Sequence, residues 1–501
     1  MKKIITLAAL ALTITIGTNA QTAYDGAKLA TKELNGTARF VGMGGAMGAL
    51  GGDISTMGTN PAGIGIYRSN EIMATLNFGT ITTESNYMGS RHSVDANRFN
   101  FSNIGAVLSH KVGNYTDLRY VNFGVNYTRS KAFYKNMSMS GIMDGVSQTT
   151  QILDQANAGQ GDLAALNTLY VNGWLSALGW NSHLFYQDDD NIYYSELEEA
   201  LTRDAYFDSR ERGGINQFDF NVSFNFNDRF YLGATIGAYD VNYRKSSIYT
   251  EEYAEDWWYD LKSWNQITGT GVDFKLGAIW RPVEESPFRV GLAIHTPTFY
   301  NLTYATSAFM ETDLEYYFDT RNDLNGDDMH YYFRLRTPWL FNISLGHTIS
   351  NYLALGAEYE YEDYSTIKFH DDNGRSMWWE NSTRDYILKG VHTLRLGAEL
   401  KPIPEFAIRA GYNYSTAAFK DGAYKILPTN SIQTDTDFAN SKGVSTYTLG
   451  LGYRGSVAYF DVAYKYNTYK EDFYAFDNTH LKSTDVKNNK HQVFVTLGMR
   501  F

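Results

Sequence analysis

Side chains that could do chemistry are plentiful in this 501-residue chain, but none falls in a catalytic spacing. The 10 His are scattered. No His-Glu-x-x-His sets two imidazoles on one helix face for zinc, and no Gly-x-Ser-x-Gly presents a hydroxyl nucleophile on a strand-to-helix turn. With no Cys, thiolate nucleophiles, thiolate zinc sites and disulfide scaffolds are excluded. Asp323-Leu324-Asn325-Gly326-Asp327-Asp328 has the composition of a calcium loop. Set in EF-hand register on Gly326, however, it puts Arg321 and Tyr332 where the first and last carboxylates belong. No catalytic residue, metal ligand or cofactor is therefore expected. A net charge of −12 argues against nucleic acid as a partner.

Two groups remain. Arg334, Arg336, Arg395 and Arg409 occupy polar positions in alternating segments, with Lys275, Arg289, Asp273, Glu358, Glu399 and Asp461. Facing a lumen, they would pair with one another, or offer a guanidinium fork to a ligand carboxylate. Trp257, Trp258 and Trp264, and Trp378 with Trp379, lie in or beside long connections. They would be girdle aromatics or pack loops together, or form an external apolar patch that captures a ligand. With 39 Tyr, 29 Phe and 9 Trp, the chain suits a boundary between apolar and aqueous phases.

The elements that must position these groups are strands. Residues 1–20 read as a secretory signal peptide: Lys2 and Lys3, an apolar run from Ile4 to Ile16, and cleavage after Ala20. Later apolar runs are too short for a spanning helix. Instead the hydropathy has period two, as in Leu394, Leu396, Ala398 and Leu400 against Thr393, Arg395, Gly397 and Glu399. Fourteen such segments start near Asn70, Arg98, Asp117, Gly214, Arg229, Asn265, Ser286, His330, Asn351, Val391, Pro404, Gly443, Ser456 and Lys490. Short connections alternate with seven longer ones rich in Asp, Asn, Ser and Gly, as short periplasmic turns alternate with outer loops in membrane barrels. The longest, Gly141 to Gly213, holds two expected helices, Thr150–Asn157 and Leu163–Leu178, and an acidic stretch from Asp188-Asp189-Asp190 to Glu198-Glu199. Val493, Val495, Leu497, Met499 and Phe501 form a last apolar row. Its terminal Phe resembles the signal read by the barrel-assembly machinery.

Residues 21–68 do not alternate. Gly42 to Asp53 is rich in small residues, including Gly44 and Gly45, and Asn60-Pro61-Ala62-Gly63 follows. No Gly-Lys-Ser/Thr makes this a phosphate loop. Small residues allow close backbone approach to a wall, so the segment reads as a plug inside the lumen, with the barrel at 69–501. These two motifs resemble the FadL/TodX family of outer-membrane transporters for hydrophobic compounds. Thr296-Pro297, Thr337-Pro338, Arg409-Ala410-Gly411-Tyr412 and Leu449-Gly450-Leu451-Gly452-Tyr453 add to the resemblance. It implies a 14-stranded antiparallel transmembrane β-barrel, a gating N-terminal hatch, and a lateral opening at a kinked third strand, Asp117 to Lys131, with Asn122 and Gly124 on its inner face.

The expected function is passive uptake of hydrophobic or amphipathic small molecules, such as long-chain fatty acids, through an apolar pocket in the outer membrane. The expected partners are that ligand, outer-membrane lipid and lipopolysaccharide, with the protein a monomer. The alternative is a non-transporting surface barrel, an adhesin or haem-binding receptor, whose loops bind a ligand or host partner.

Overall fold

A computed structural model describes residues 21–501 apart from 144, 160–162, 164–171, 196, 198–201, 254–255, 315–316 and 325–328. The expected signal peptide, Glu198-Glu199 and most of the Asp323–Asp328 loop lie outside the described residues.

Fourteen antiparallel strands close into one barrel. They are β1 (Glu71–Tyr87), β2 (Ser90–Lys111), β3 (Leu118–Gly141), β4 (Thr202–Phe226), β5 (Phe230–Tyr253), β6 (Trp258–Trp280), β7 (Arg289–His295 and Phe299–Leu314), β8 (Met329–Arg336 and Leu340–Ile349), β9 (Leu353–Asp363 and Lys368–Asp371), β10 (Gly390–Ile403), β11 (Phe406–Ser415), β12 (Phe438–Ser441 and Val444–Arg454), β13 (Ala458–Tyr474) and β14 (Thr484–Arg500). β1 pairs with β14 from Glu71 opposite Arg500 to Asn86 opposite Asp485, so no edge is left. Alternation sorts the two faces: Val493, Leu497 and Met499 of β14 are exposed, while Phe494 and Thr496 are buried. The outward rows form an apolar belt that suits a bilayer, with backbone groups paired between strands. No helix among the described residues is long and apolar enough to cross a membrane.

The strands outrun their hydrophobic pattern. β2 begins at Ser90 rather than near Arg98, β4 at Thr202 rather than near Gly214, β6 at Trp258 rather than near Asn265, and β14 at Thr484 rather than near Lys490. Beyond the belt the outer face also meets water, so hydropathy stops alternating while the hydrogen-bond ladder continues. Two of the seven expected long connections are consequently short. β1–β2 is the two-residue turn Met88-Gly89, both at positive φ (52° and 100°) as a primed hairpin turn requires. β5–β6 spans only residues 254–257. In the longest connection, α3 (Gln148–Ala158) covers the first expected helix, and α4 (Trp174–Asn181) takes in Trp174 to Leu178 of the second, whose residues 164–171 lie outside the described residues.

β7 and β8 are interrupted side by side at Pro297 and Pro338, which cannot donate to a ladder. Thr337 N donates to Thr298 O (3.1 Å), and Thr298 N donates to Thr337 Oγ1 (2.8 Å), bridging the breaks. Each break shifts the alternation by one residue. Leu340, Asn342 and Ser344 are buried below it, but Phe333 and Leu335 above it. This corrects the expectation for Arg334 and Arg336, which face outward. Arg334 donates to Asp372 O (2.8 Å), and Arg336 lies 5.7 Å from the Phe299 ring.

The N-terminal segment folds as α1 (Ala23–Ala30), α2 (Ala38–Gly42) and two 3-10 turns, Ile54–Gly58 and Pro61–Ile66. Short polar residues start the last three elements by accepting from backbone N–H groups: Thr37 from Phe40, Asp53 from Ser55, and Asn60 from Ala62. Pro61 begins the last turn, where its missing N–H costs nothing.

Candidate functional site

The segment meets inward-facing residues of strands all round the barrel. Ala38 N donates to Thr496 Oγ1 of β14 (2.7 Å), Gly48 N to Glu358 Oε2 of β9 (3.0 Å), and Asn60 Nδ2 to Ala278 O of β6 (3.3 Å). On the other side, Ser223 Oγ of β4 donates to Pro61 O (2.8 Å) and Asn122 Nδ2 of β3 to Ile64 O (2.7 Å).

Glycines on both partners permit this approach. A β-carbon on Gly44, which has φ +63°, would lie 2.9 Å from both Leu396 O and Tyr412 N. On the wall, β-carbons on Gly411, Gly397, Gly356, Gly277 and Gly233 would collide with Gly44, Met43, Ala46, Asn60 and Pro61. Gly42 packs on Gly450, Gly45 on Leu34 and Arg395, and Gly63 on Thr56 and Gly51. Asp53 also accepts from Thr37 Oγ1 (2.7 Å), and Ala62 is fully buried.

Arg395 and Arg409 do face the lumen, where both are paired. Arg395 meets Glu358 (2.6 Å) and Glu360 (2.9 Å). Arg409 meets Glu399 (2.7 Å) and Asp461 (2.5 Å). Glu399 also binds Arg39 of the N-terminal segment at 3.0 Å, so the ladder ties segment to wall.

A cavity of about 430 Å³ opens among α1, residues 31–35 and the wall. Above it, the β11–β12 connection turns into the barrel mouth, where Ser431, Gln433 and Thr434 are buried. Its lining differs from the apolar pocket expected. Tyr24, Phe40, Phe133 and Tyr134 are interspersed with Lys28, Lys131, Lys245, Lys465, Lys490, Glu33, Glu211 and Asp435. Lys490 Nζ donates to both Glu33 oxygens (3.0 and 3.1 Å), Lys465 Nζ to Leu34 O (2.6 Å), and Lys131 Nζ to Lys28 O (2.6 Å). Burial opposes ionisation of Glu33, but Lys490, Lys465 and Lys131 outweigh it and hold the carboxyl below its ordinary value. Sequence reasoning missed this group. The inward phase of Lys465 was legible in β13, but its partner on a non-periodic segment was not.

The wall is discontinuous beside this cavity. β3 pairs with β2 only from Lys111 opposite Tyr120 to Asn103 opposite Thr128, while its pairing with β4 continues to Gly141 opposite Ala205. An extra residue, Ser130, breaks the β3–β4 register at this point. Beyond it β3 slips behind the β1–β2 hairpin, with Ala132 and Tyr134 packed on Ile81 and Ala96. Ser130 to Tyr134 line the cavity. Arg98 of β2 spans the gap, its Nη1 donating to Phe133 O (3.4 Å) and Gly213 O (3.3 Å). Asn122 and Gly124 lie below the break and instead contact the N-terminal segment, Gly124 at Met57.

The five tryptophans do not form one patch. Trp264 lies beside Phe309 on the outer wall, and Trp257 packs half-buried on the loop core near Trp258. Trp378 is 50% exposed at the start of α5 (Trp378–Ile387), whereas Trp379 is buried near Thr22 and Tyr24.

No family model and no curated protein matches the chain. Among solved structures it is similar to a FadL homologue of Pseudomonas aeruginosa, at 14% identity and a TM-score of 0.53, over 94% of this chain and 99% of that one. It is also similar to the toluene transporter TodX of Pseudomonas putida, at 11% identity and a TM-score of 0.51, over 94% and 99%. This likeness bears out the FadL/TodX resemblance at the level of fold: the chain is similar in architecture to those two proteins along nearly its whole length.

Proposed function

We propose that this barrel is an outer-membrane channel for passive uptake of hydrophobic or amphipathic small molecules. Residues 21–68 are its hatch and residues 69–501 its barrel. The observation that carries the proposal is the meeting of three features at one cavity: the hatch, the charged and aromatic lining, and the break between β2 and β3. A solute with an apolar body and an acidic group suits that lining better than a plain hydrocarbon does, and a long-chain fatty acid has this form. Exposed Trp378 offers a first contact. The lateral exit lies above Thr128, and the motifs at Gly42 to Asp53 and Asn60 to Gly63 hold the hatch shut until it moves. Arg395 and Arg409 brace the wall, their charges already neutralised.

The test is uptake of a labelled long-chain fatty acid and of toluene by vesicles holding the intact protein or a variant lacking residues 42–53. Transport that follows the fatty acid and changes with the deletion supports the proposal. Equal flux through empty and loaded vesicles would exclude it. Large steady currents from the intact protein would instead indicate an open porin.

A further inference from the structure

Four arginines gather above the aromatic belt at the β2–β3 break: Arg129, Arg212 and Arg244 on the outer face, and Arg98, which reaches into the gap from the inward row of β2 between buried Ala96 and Asn100. Their placement follows from register. Arg129 is the next outward residue after Tyr127 on β3, whose ring lies 5.4 Å from Phe218 of β4 in the belt. Arg212 of β4 is directly opposite Arg244 of β5. Arg98 joins them through its bond to Gly213 O (3.3 Å). Like charges opposite one another on a sheet repel, so this arrangement needs a compensating anion.

Among the described residues, none of the four forms an ion pair. Arg129 Nη1 donates to Asn216 Oδ1 (2.9 Å), Arg212 Nη2 to Asn136 Oδ1 (2.8 Å) and Arg244 Nε to Asn242 Oδ1 (3.3 Å), all neutral acceptors. Arg129 Nε is buried without a partner. Asp240, on the same face, is engaged by Asn216 Nδ2 (2.9 Å). In a chain of net charge −12, four unpaired guanidinium groups on one patch are out of character.

We propose that this patch docks the phosphate of a lipid headgroup in the outer leaflet, a phosphorylated glycolipid whose acyl chains lie along the belt at Tyr127 and Phe218. Guanidinium forks match phosphate oxygens, and the patch lies where the belt ends, at headgroup level. The docked lipid stands in front of the β2–β3 break. The proposal rests on the barrel's placement in the membrane and not on transport, so either can fail alone.

The test is lipid titration of the intact purified protein, read by native mass spectrometry. The probes are diphosphorylated lipid A, the same lipid stripped of phosphate, and inorganic phosphate as competitor. Phosphorylated lipid should bind about tenfold or more tighter than the stripped form. Joint Arg212→Gln and Arg244→Gln substitution should abolish the difference, whereas Arg375→Gln, on a distant loop, should not. If the Gln pair does not assemble, Arg212→Lys with Arg244→Lys keeps charge without the fork and should reduce the preference. Equal binding of the two lipids would overturn the proposal, as would an unchanged preference in the folded variants. Displacement by millimolar inorganic phosphate would also overturn it, by showing an anion site without lipid recognition.

Discussion

Lys490 of the last strand holds both oxygens of Glu33, at 3.0 and 3.1 Å, so the final strand of the chain grips its N-terminal segment. Glu33→Gln leaves Lys490 and Lys465 without a counter-charge, at a cost of about 3–5 kcal/mol of docking. The expected outcome is a rise in brief channel openings of the order of 10² or more, scored in single-channel records. A variant as quiet as the wild type would show that the contact does not latch the hatch. The pH response has a definite sign. Because the folded-state value of Glu33 is depressed, its contribution is present at neutral pH and lost only as pH falls through that value, below the ordinary carboxylate range. Docking should therefore be flat around neutrality.

Glu380, in the outer-loop helix α5, responds the other way. It is 1% exposed, neither oxygen has a partner, and burial pushes its carboxyl up to about 7. The stabilising neutral form is fully present below the unfolded value and is lost as pH rises through 7. Hydrogen exchange of residues 378–387, corrected for intrinsic rates, should accelerate between pH 5 and 8. Glu380→Gln should abolish that change; identical profiles for the two proteins would refute the assignment.

Two glycines at positive φ separate backbone strain from crowding. Gly422 (φ +71°) has nothing within 4 Å of an added β-carbon, so Gly422→Ala should cost only about 1 kcal/mol. At Gly44, Val would strike the backbone of Leu396 and Tyr412, and about 3 kcal/mol or more is expected. Denaturation midpoints of the two variants give the comparison.

The shifted alternation of β8 is testable by the same measurement. Arg409→Ala strands Asp461 in the lumen, leaves Glu399 with Arg39 alone of its two arginines, and should cost about 3–5 kcal/mol. Arg334→Ala, on the outer face, should stay within about 0.5 kcal/mol. Similar losses at both positions would argue for one lumen-facing row through the break.

Barrel, strand number and the inward phase of Arg395 and Arg409 were legible because a wall between lipid and water writes its period into composition. Arg334 and Arg336 were misplaced because the one-residue shift at Pro338 leaves no trace in a count of alternate positions. The extensions of β2, β4, β6 and β14 were hidden for a different reason: water on both faces removes the contrast while pairing continues. Glu33 and its lysines depend on a contact between opposite ends of the chain, which local pattern cannot carry. The departure of β3 at Ser130 is likewise a matter of pairing, and Ser130 itself is an ordinary strand residue.

Ala38 N bonds Thr496 Oγ1, and Thr496 pairs with Thr75 across the closing seam of the barrel. This sets an order of assembly. The N-terminal segment should lodge before the first and last strands join. A seam that zipped up beforehand would exclude it from the lumen, since its backbone fits only against bare glycine on the wall. The N-terminal segment is thus a template around which the sheet rolls, and a chain lacking it should insert more slowly and close with strands out of register.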